Sequence, residues 1–104
     1  MKESKLIQIF KKLLISKLAD IPYFWYKIPD TKGLGGMRPC DAILICNGQV
    51  FSLEFKIGKN KLTCWQKFHM AKMQIAGAAI YVVNDHNYYV QLAAILQRIK
   101  KEKK

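Results

Sequence analysis

The dipeptide Asn47-Gly48 lies between two segments, 41–46 and 49–56, that are rich in β-branched and aromatic residues. Asn and Gly both tolerate the positive φ angles of a two-residue hairpin turn, so this pattern predicts an antiparallel hairpin. A loop of two residues also fixes the register of the strands, because a shift by one residue would turn every side chain to the opposite face.

Helical and strand-like patterns alternate around this hairpin. Helical spacing of apolar residues and capping signals predict helices at about 4–19, 63–76 and 91–101, and two further apolar runs predict strands at 23–28 and 79–84. The order of elements is therefore α-β-β-β-α-β-α, and its strand-helix-strand step predicts a right-handed parallel crossover. The sequence thus predicts an α/β fold with a mixed, mainly four-stranded sheet flanked by helices.

The length of 104 residues supports one domain over 1–104, with a basic tail at 98–104 that we expect to fray. No apolar stretch reaches the roughly 18 residues of a membrane span, and the N-terminus lacks a cleavable signal pattern. We therefore expect a soluble, cytoplasmic protein without a membrane partner, associated with the nucleoid if it is bacterial, archaeal or from a phage. Cys40, Cys46 and Cys64 form no CxxC pair and are expected to be buried apolar side chains.

The charge of the chain is strongly basic. Lys and Arg number 18 against 7 Asp and Glu, which gives a net charge of +11. This excess is greater than solubility requires and favours a polyanionic partner such as nucleic acid. Two alternatives stay open: lysines that only solvate helix faces, and an anionic membrane surface as the partner.

The hairpin register brings acidic side chains together. If Cys46 faces Gln49, Asp41 faces Glu54, and two carboxylates so placed repel each other unless a positive group lies between them. Strand alternation puts Lys56 on the same face as Glu54. Two carboxylates and a lysine suit Mg²⁺-assisted phosphodiester hydrolysis, because Mg²⁺ prefers hard oxygen ligands. Alternatively, these groups form only an exposed polar edge of the sheet.

Four sequence features occur in a recognisable order: GGMRPCD at 35–41, Glu54-Phe55-Lys56, Gln66 on the next helix, and Gly77 before an apolar strand. This pattern, over residues 35–85, resembles the PD-(D/E)XK nuclease superfamily, most closely its VRR-NUC and archaeal Holliday-junction-resolvase-like branches. The resemblance implies a restriction-endonuclease-like α-β-β-β-α-β core. It also implies a Mg²⁺-dependent endodeoxyribonuclease of DNA repair or recombination, with Mn²⁺ able to replace Mg²⁺.

The same resemblance assigns roles to individual residues. It places the metal on Asp41, Glu54 and the backbone carbonyl of Phe55, and it places Lys56 beside the attacking water. The family's Pro often directly precedes the Asp, whereas Cys40 stands between them here, so a bulge or a register shifted by one residue is an alternative. Contacts with nucleic acid are expected from four basic residues: Arg38, Lys59, Lys61 and Lys67.

Two further residues have both a functional and a structural interpretation. The resemblance implies that Gln66 is catalytic and reaches the metal-bound water or a phosphate, but it also satisfies the capping-box pattern with Thr63. Glu3 corresponds to a glutamate that completes the metal site in resolvase-like relatives, but an acid in a first helical turn is also ordinary dipole complementation.

The expected substrate is branched DNA such as a four-way junction, cut by a homodimer whose twofold symmetry matches it. A non-catalytic nucleic-acid-binding module and a ribonuclease on the same scaffold are the alternatives. The aromatic run 23–26 either stacks on unpaired bases or belongs to the core, and strand alternation favours the core. His69 is expected to be a half-buried packing residue, and His86 receives no role.

Overall fold

The computed structural model describes residues 1–29 and 38–101. Its seven elements, in chain order, are α1 Glu3–Leu18, β1 Tyr23–Lys27, β2 Ala42–Cys46, β3 Gln49–Lys56, α2 Cys64–Ile75, β4 Ala79–Asn84 and α3 Tyr88–Lys101. The strands form one sheet in the order β1-β2-β3-β4, in which β3 and β4 are parallel and the other neighbours are antiparallel. The predicted α/β fold with a mixed four-stranded sheet is therefore confirmed.

The β2–β3 hairpin has the predicted turn and register. Asn47 and Gly48 adopt φ angles of 53° and 75°, as a two-residue turn of this kind requires. The pairing runs from Cys46↔Gln49 to Ala42↔Leu53 without a bulge. Asp41 stands one residue outside β2, and its N–H donates at 3.0 Å to the carbonyl of Leu53, the residue that already pairs with Ala42. Asp41 and Ala42 therefore both lie opposite Leu53, as in the bulge considered as an alternative. The alternative register, shifted by one residue, is wrong.

Helices cover both faces of β3. On one face α1 and α3 pack against the sheet through buried apolar side chains, and the Phe10 and Phe55 rings meet edge to face with centroids 5.5 Å apart. On the opposite face lies α2, where Met73 reaches the hydroxyl of Ser52. Burial on both faces explains why all five residues from Phe51 to Phe55 are buried.

Helix α3 begins earlier than predicted, and its last turn is held by burial and by a hydrogen bond to the hairpin. It begins at Tyr88 instead of about 91, because the Asn84 side chain accepts the N–H groups of His86 and Asn87 and so turns the chain early. Residues 98–101 belong to α3 as the predicted helix 91–101 requires; Ile99 is fully buried and its carbonyl accepts a 2.7 Å hydrogen bond from Asn47 Nδ2. Residues 102–104 of the predicted tail lie outside the described residues.

Strand β1 is an edge strand whose aromatic side chains are mostly exposed. The expectation that the run 23–26 belongs to the core is wrong for Tyr23, Phe24 and Tyr26, and only Trp25 packs, half-buried, against the core. Cys64 is likewise exposed, whereas Cys40 and Cys46 are buried as expected. None of the helices in the ranges 1–29 and 38–101 is long and apolar enough to cross a membrane.

Candidate functional site

Asp41 is completely buried just before β2. Its Oδ2 accepts the Phe55 amide at 2.8 Å, and its backbone carbonyl accepts the amide of Ile28 at 2.9 Å. Arg38 Nη2 forms an ion pair with Oδ1 of Asp41, but this contact does not have the geometry of a hydrogen bond. The other terminal nitrogen of the guanidinium, Nη1, donates to the Ile28 carbonyl at 2.9 Å. The carboxylate is therefore held between the ends of β1 and β3, with one guanidinium beside it.

Glu54 lies on β3 with only 3% of its surface exposed. Its Oε2 accepts a 2.8 Å hydrogen bond from Gln66 Nε2 and lies 3.3 Å from Lys56 Nζ. Within the described ranges, Oε1 has no hydrogen-bond partner. Burial, and secondly the negative charge of Asp41, raise the pKa of Glu54 to about 7, although the Lys56 ammonium opposes this shift.

Gln66 completes the capping box and also contacts the acid cluster, while its catalytic role stays a prediction. Its Oε1 accepts the Thr63 N–H at 3.0 Å and its own N–H donates to Thr63 Oγ1 at 3.1 Å, which completes the predicted capping box. The other end of the same amide donates to Glu54. The start of α2 is therefore tied directly to the carboxylate cluster.

Glu3 approaches the cluster from the first turn of α1. Partial burial raises the pKa of Glu3 first, and the charge of Asp41 adds to the effect, while the cations of Lys56 and Arg38 lower it. Glu3 in turn contributes to the raised pKa of Glu54. Asp41, Glu54 and Glu3 therefore interact electrostatically. At the start of the same helix, Lys2 occupies the N-cap and makes no side-chain capping bond.

The donor set fits a Mg²⁺ ion that retains part of its hydration shell. Mg²⁺ commonly binds one or two carboxylates and keeps several waters. Here the buried Oε1 of Glu54 has no hydrogen-bond partner among the described residues, whereas Oδ1 of Asp41 is paired with Arg38. In the same part of the chain, no group of three or more His, Cys, Asp or Glu side chains is arranged to hold a metal ion. A site here would therefore rest on the two carboxylates, with the Phe55 carbonyl as a predicted third ligand.

The remaining predicted residues lie around this cluster. Lys59 and Lys61 are exposed in the loop after β3, and Lys67 is exposed in the first turn of α2. Arg38 is directed at Asp41, so its contact with nucleic acid stays a prediction. The backbone N–H of Phe55 donates to Asp41. This bond does not involve the Phe55 carbonyl, whose role as a metal ligand stays a prediction. Residues 35–37, the first part of the GGMRPCD motif, lie outside the described residues.

Sequence reasoning missed the pairing of Arg38 with Asp41. A signal was available: the two residues are three apart, and the repulsion expected between Asp41 and Glu54 called for a positive group. The structure supplies two cations, Arg38 on Asp41 and Lys56 on Glu54. Buried Cys40 was also not associated with the site, and its thiol pKa is raised first by burial, with further contributions from both acids.

Fold and geometry together define an α/β protein with a buried cluster of acids and cations at the open end of its hairpin. Comparisons with protein-family models, curated proteins and solved structures found no significant match.

Proposed function

We propose that this protein is a Mg²⁺-dependent endonuclease that hydrolyses DNA phosphodiester bonds. One observation carries the proposal: Asp41 and Glu54 are both buried and interact electrostatically, and Lys56 Nζ lies 3.3 Å from the second acid. Burying two carboxylates costs free energy, and a bound cation would offset part of that cost in addition to Arg38 and Lys56. Perturbed acids of this kind concentrate at functional sites.

Each residue of the cluster has a role in this chemistry. Asp41, Glu54 and the Phe55 carbonyl would hold the ion. Bound Mg²⁺ supplies a Lewis acid that polarises a phosphate and lowers the pKa of a coordinated water. Lys56, whose side chain is 17% exposed and whose ammonium lies 3.3 Å from Glu54, would donate a hydrogen bond to the attacking water or to a phosphate oxygen. Gln66 orients Glu54 by holding Oε2.

The basic surface supports a nucleic-acid substrate. Exposed Lys59, Lys61 and Lys67 lie on the elements that follow the site and would contact phosphates, which position DNA without reading its bases. We therefore favour structure-selective cleavage of branched DNA such as a four-way junction, by a homodimer in the cytoplasm or nucleoid. Mn²⁺ is expected to replace Mg²⁺.

One observation favours a second candidate, a nucleic-acid-binding module without catalysis. Arg38 pairs with Asp41 and Lys56 pairs with Glu54, so the two acids are charge-compensated by the chain's own cations. In this alternative the cluster is structural, and the net charge of +11 provides all the affinity.

Cleavage assays separate the two candidates. Labelled junction, flap and linear DNA, with a labelled RNA in parallel, would be incubated with the protein in Mg²⁺ or in chelator. We expect Mg²⁺-dependent cutting of branched DNA, and a loss of about 100-fold or more in rate for Asp41→Asn and for Lys56→Met with DNA binding retained. Cutting of the RNA alone would assign the scaffold to a ribonuclease.

Two substitutions serve as matched controls. Asp20→Asn and Lys100→Met remove one acid and one lysine at exposed positions, so they change the net charge equally without touching the cluster. Binding by every variant, with no cutting by the wild type on any substrate, would contradict the nuclease and support the module.

A further inference from the structure

An exposed apolar surface lies on the β1–β2 half of the sheet. Phe24, Tyr26, Ile45 and Val50 are 58%, 48%, 43% and 39% exposed, and we call these four residues the aromatic face. Phe24 is opposite Ile45, and Ile45 is opposite Val50, so all their side chains point to the same side of the sheet.

The aromatic face and the candidate site share one side of the sheet. Tyr26 is opposite Ile43, which is opposite Ser52, and strand alternation carries the same side from Ser52 to Glu54 and Lys56. Helix α2 covers Ser52 and Glu54 on this side and leaves the β1–β2 half uncovered. A ligand strand lying across the open half would lead directly to the carboxylate cluster.

The chemistry of the aromatic face matches nucleobases. The Phe24 and Tyr26 rings are within 11° of parallel, with centroids 6.4 Å apart along the strand. Successive bases of a nucleic-acid strand are also near parallel, so bases and rings can stack in a common orientation. The net charge of +11 attracts the phosphates of such a strand.

We propose that the aromatic face binds unpaired bases of the DNA strand whose backbone enters the Asp41–Glu54 site. This inference rests on the proposed nuclease function and makes its substrate class more specific: DNA that carries unpaired nucleotides beside the scissile bond, as a flap or an opened junction does. Fully paired duplex offers no base face to Phe24 or Tyr26.

The test measures binding in chelator, where no hydrolysis occurs. A fluorescent oligodeoxythymidylate of about twelve nucleotides is compared with an abasic strand of equal length, which keeps every phosphate and lacks the bases. We expect the wild type to bind the strand with bases about tenfold more tightly. Phe24→Leu/Tyr26→Leu should reduce that ratio to near one and leave the abasic affinity unchanged.

Phe68→Leu/Tyr89→Leu is the matched control. It also removes one Phe and one Tyr, 57% and 65% exposed, from helices α2 and α3. Retention of the base preference in this variant supports the assignment to the aromatic face.

Two results would overturn the inference. One is equal binding of both strands by the wild type, which needs no substituted protein and so does not depend on how a variant folds. The other is a wild-type dimer in sedimentation equilibrium that Phe24→Leu/Tyr26→Leu makes monomeric without changing base preference, since the face would then bind a second copy. If the protein prefers the strand with bases but cuts no substrate in Mg²⁺, the nuclease proposal is wrong and the binding of bases by the aromatic face is retained.

Discussion

Glu54 combines near-complete burial with an ionisable group, and this has a measurable consequence at the scale of a single residue. Its pKa in the folded protein is about 7, against 4.5 for an ordinary glutamate. The folded state therefore holds the proton more tightly than the unfolded state. The stability that this proton provides is fully present below pH 4.5 and is lost as the pH rises to about 7.

Glu54→Gln should remove this pH dependence. Gln is isosteric and has no proton to lose, so the free energy of unfolding of the wild type should fall relative to the variant by up to about 3 kcal/mol between pH 4.5 and 7. Urea unfolding in chelator across this range measures the difference. A constant difference between the two proteins would show that Glu54 titrates normally.

Individual residues of the cluster were predictable to different degrees. The hairpin register, which a two-residue turn fixes, brought Asp41 and Glu54 to the same end of the hairpin. It did not predict that the regular pairing stops at Ala42 and that the Asp41 N–H bonds Leu53. The burial of the two acids did not follow, since it depends on α2 crossing Ser52 and Glu54, a tertiary contact that strand alternation does not report. The exposure of Phe24 was missed for a similar reason: alternation does not reveal that β1 is an edge strand with one face uncovered.

At the scale of elements, long-range side-chain bonds hold the end of α3, which the sequence pattern places correctly at residue 101. The tail of α3 looked free to fray because its sequence is basic and apolar residues become rare. Its last turn is held by the hairpin: Asn47 Nδ2 bonds the Ile99 carbonyl and Gln49 Nε2 bonds the Arg98 carbonyl at 3.1 Å. These partners are 52 and 49 residues apart in the sequence, so the periodicity of the helix segment does not indicate the bonds.

The start of α2 is the element most closely connected to the candidate site. Gln66→Glu keeps the acceptor that completes the capping box but replaces the donor to Glu54 with a second carboxylate. We expect it to be tolerated at pH 5, where Glu54 is protonated, and to destabilise the protein by about 1–3 kcal/mol more at pH 8, where both acids are charged.

Thr63→Ala is the comparison for that variant. It removes the capping acceptor and leaves the bond from Gln66 to Glu54, so it should cost about 1 kcal/mol at both pH values. Urea unfolding of both variants at pH 5 and pH 8 tests the expectation. If Gln66→Glu costs the same at both pH values, the amide does not couple the helix to the carboxylate.

At the scale of the whole molecule, the charge of the protein opposes the ion that its site is proposed to bind. A net charge of +11 repels divalent cations from the surface in general, so stabilisation by Mg²⁺ has to come from a local concentration of negative charge. Asp41 and Glu54 supply that charge in a buried position, and binding there would relieve their mutual repulsion. Mg²⁺ binding should therefore appear as stability of the entire fold, independently of any catalytic activity.

We expect Mg²⁺ to raise the free energy of unfolding by about 2.7 kcal/mol when its free concentration is 100 times Kd. Thermal unfolding with Mg²⁺, compared with K⁺ at equal ionic strength, measures the effect as a higher Tm. The shift should be larger at pH 8 than at pH 6, because the metal binds the ionised carboxylate and the pKa of Glu54 is about 7. Asp41→Asn and Glu54→Gln should abolish it and Asp20→Asn should retain it, whereas an equal shift in all four proteins would place the ion elsewhere.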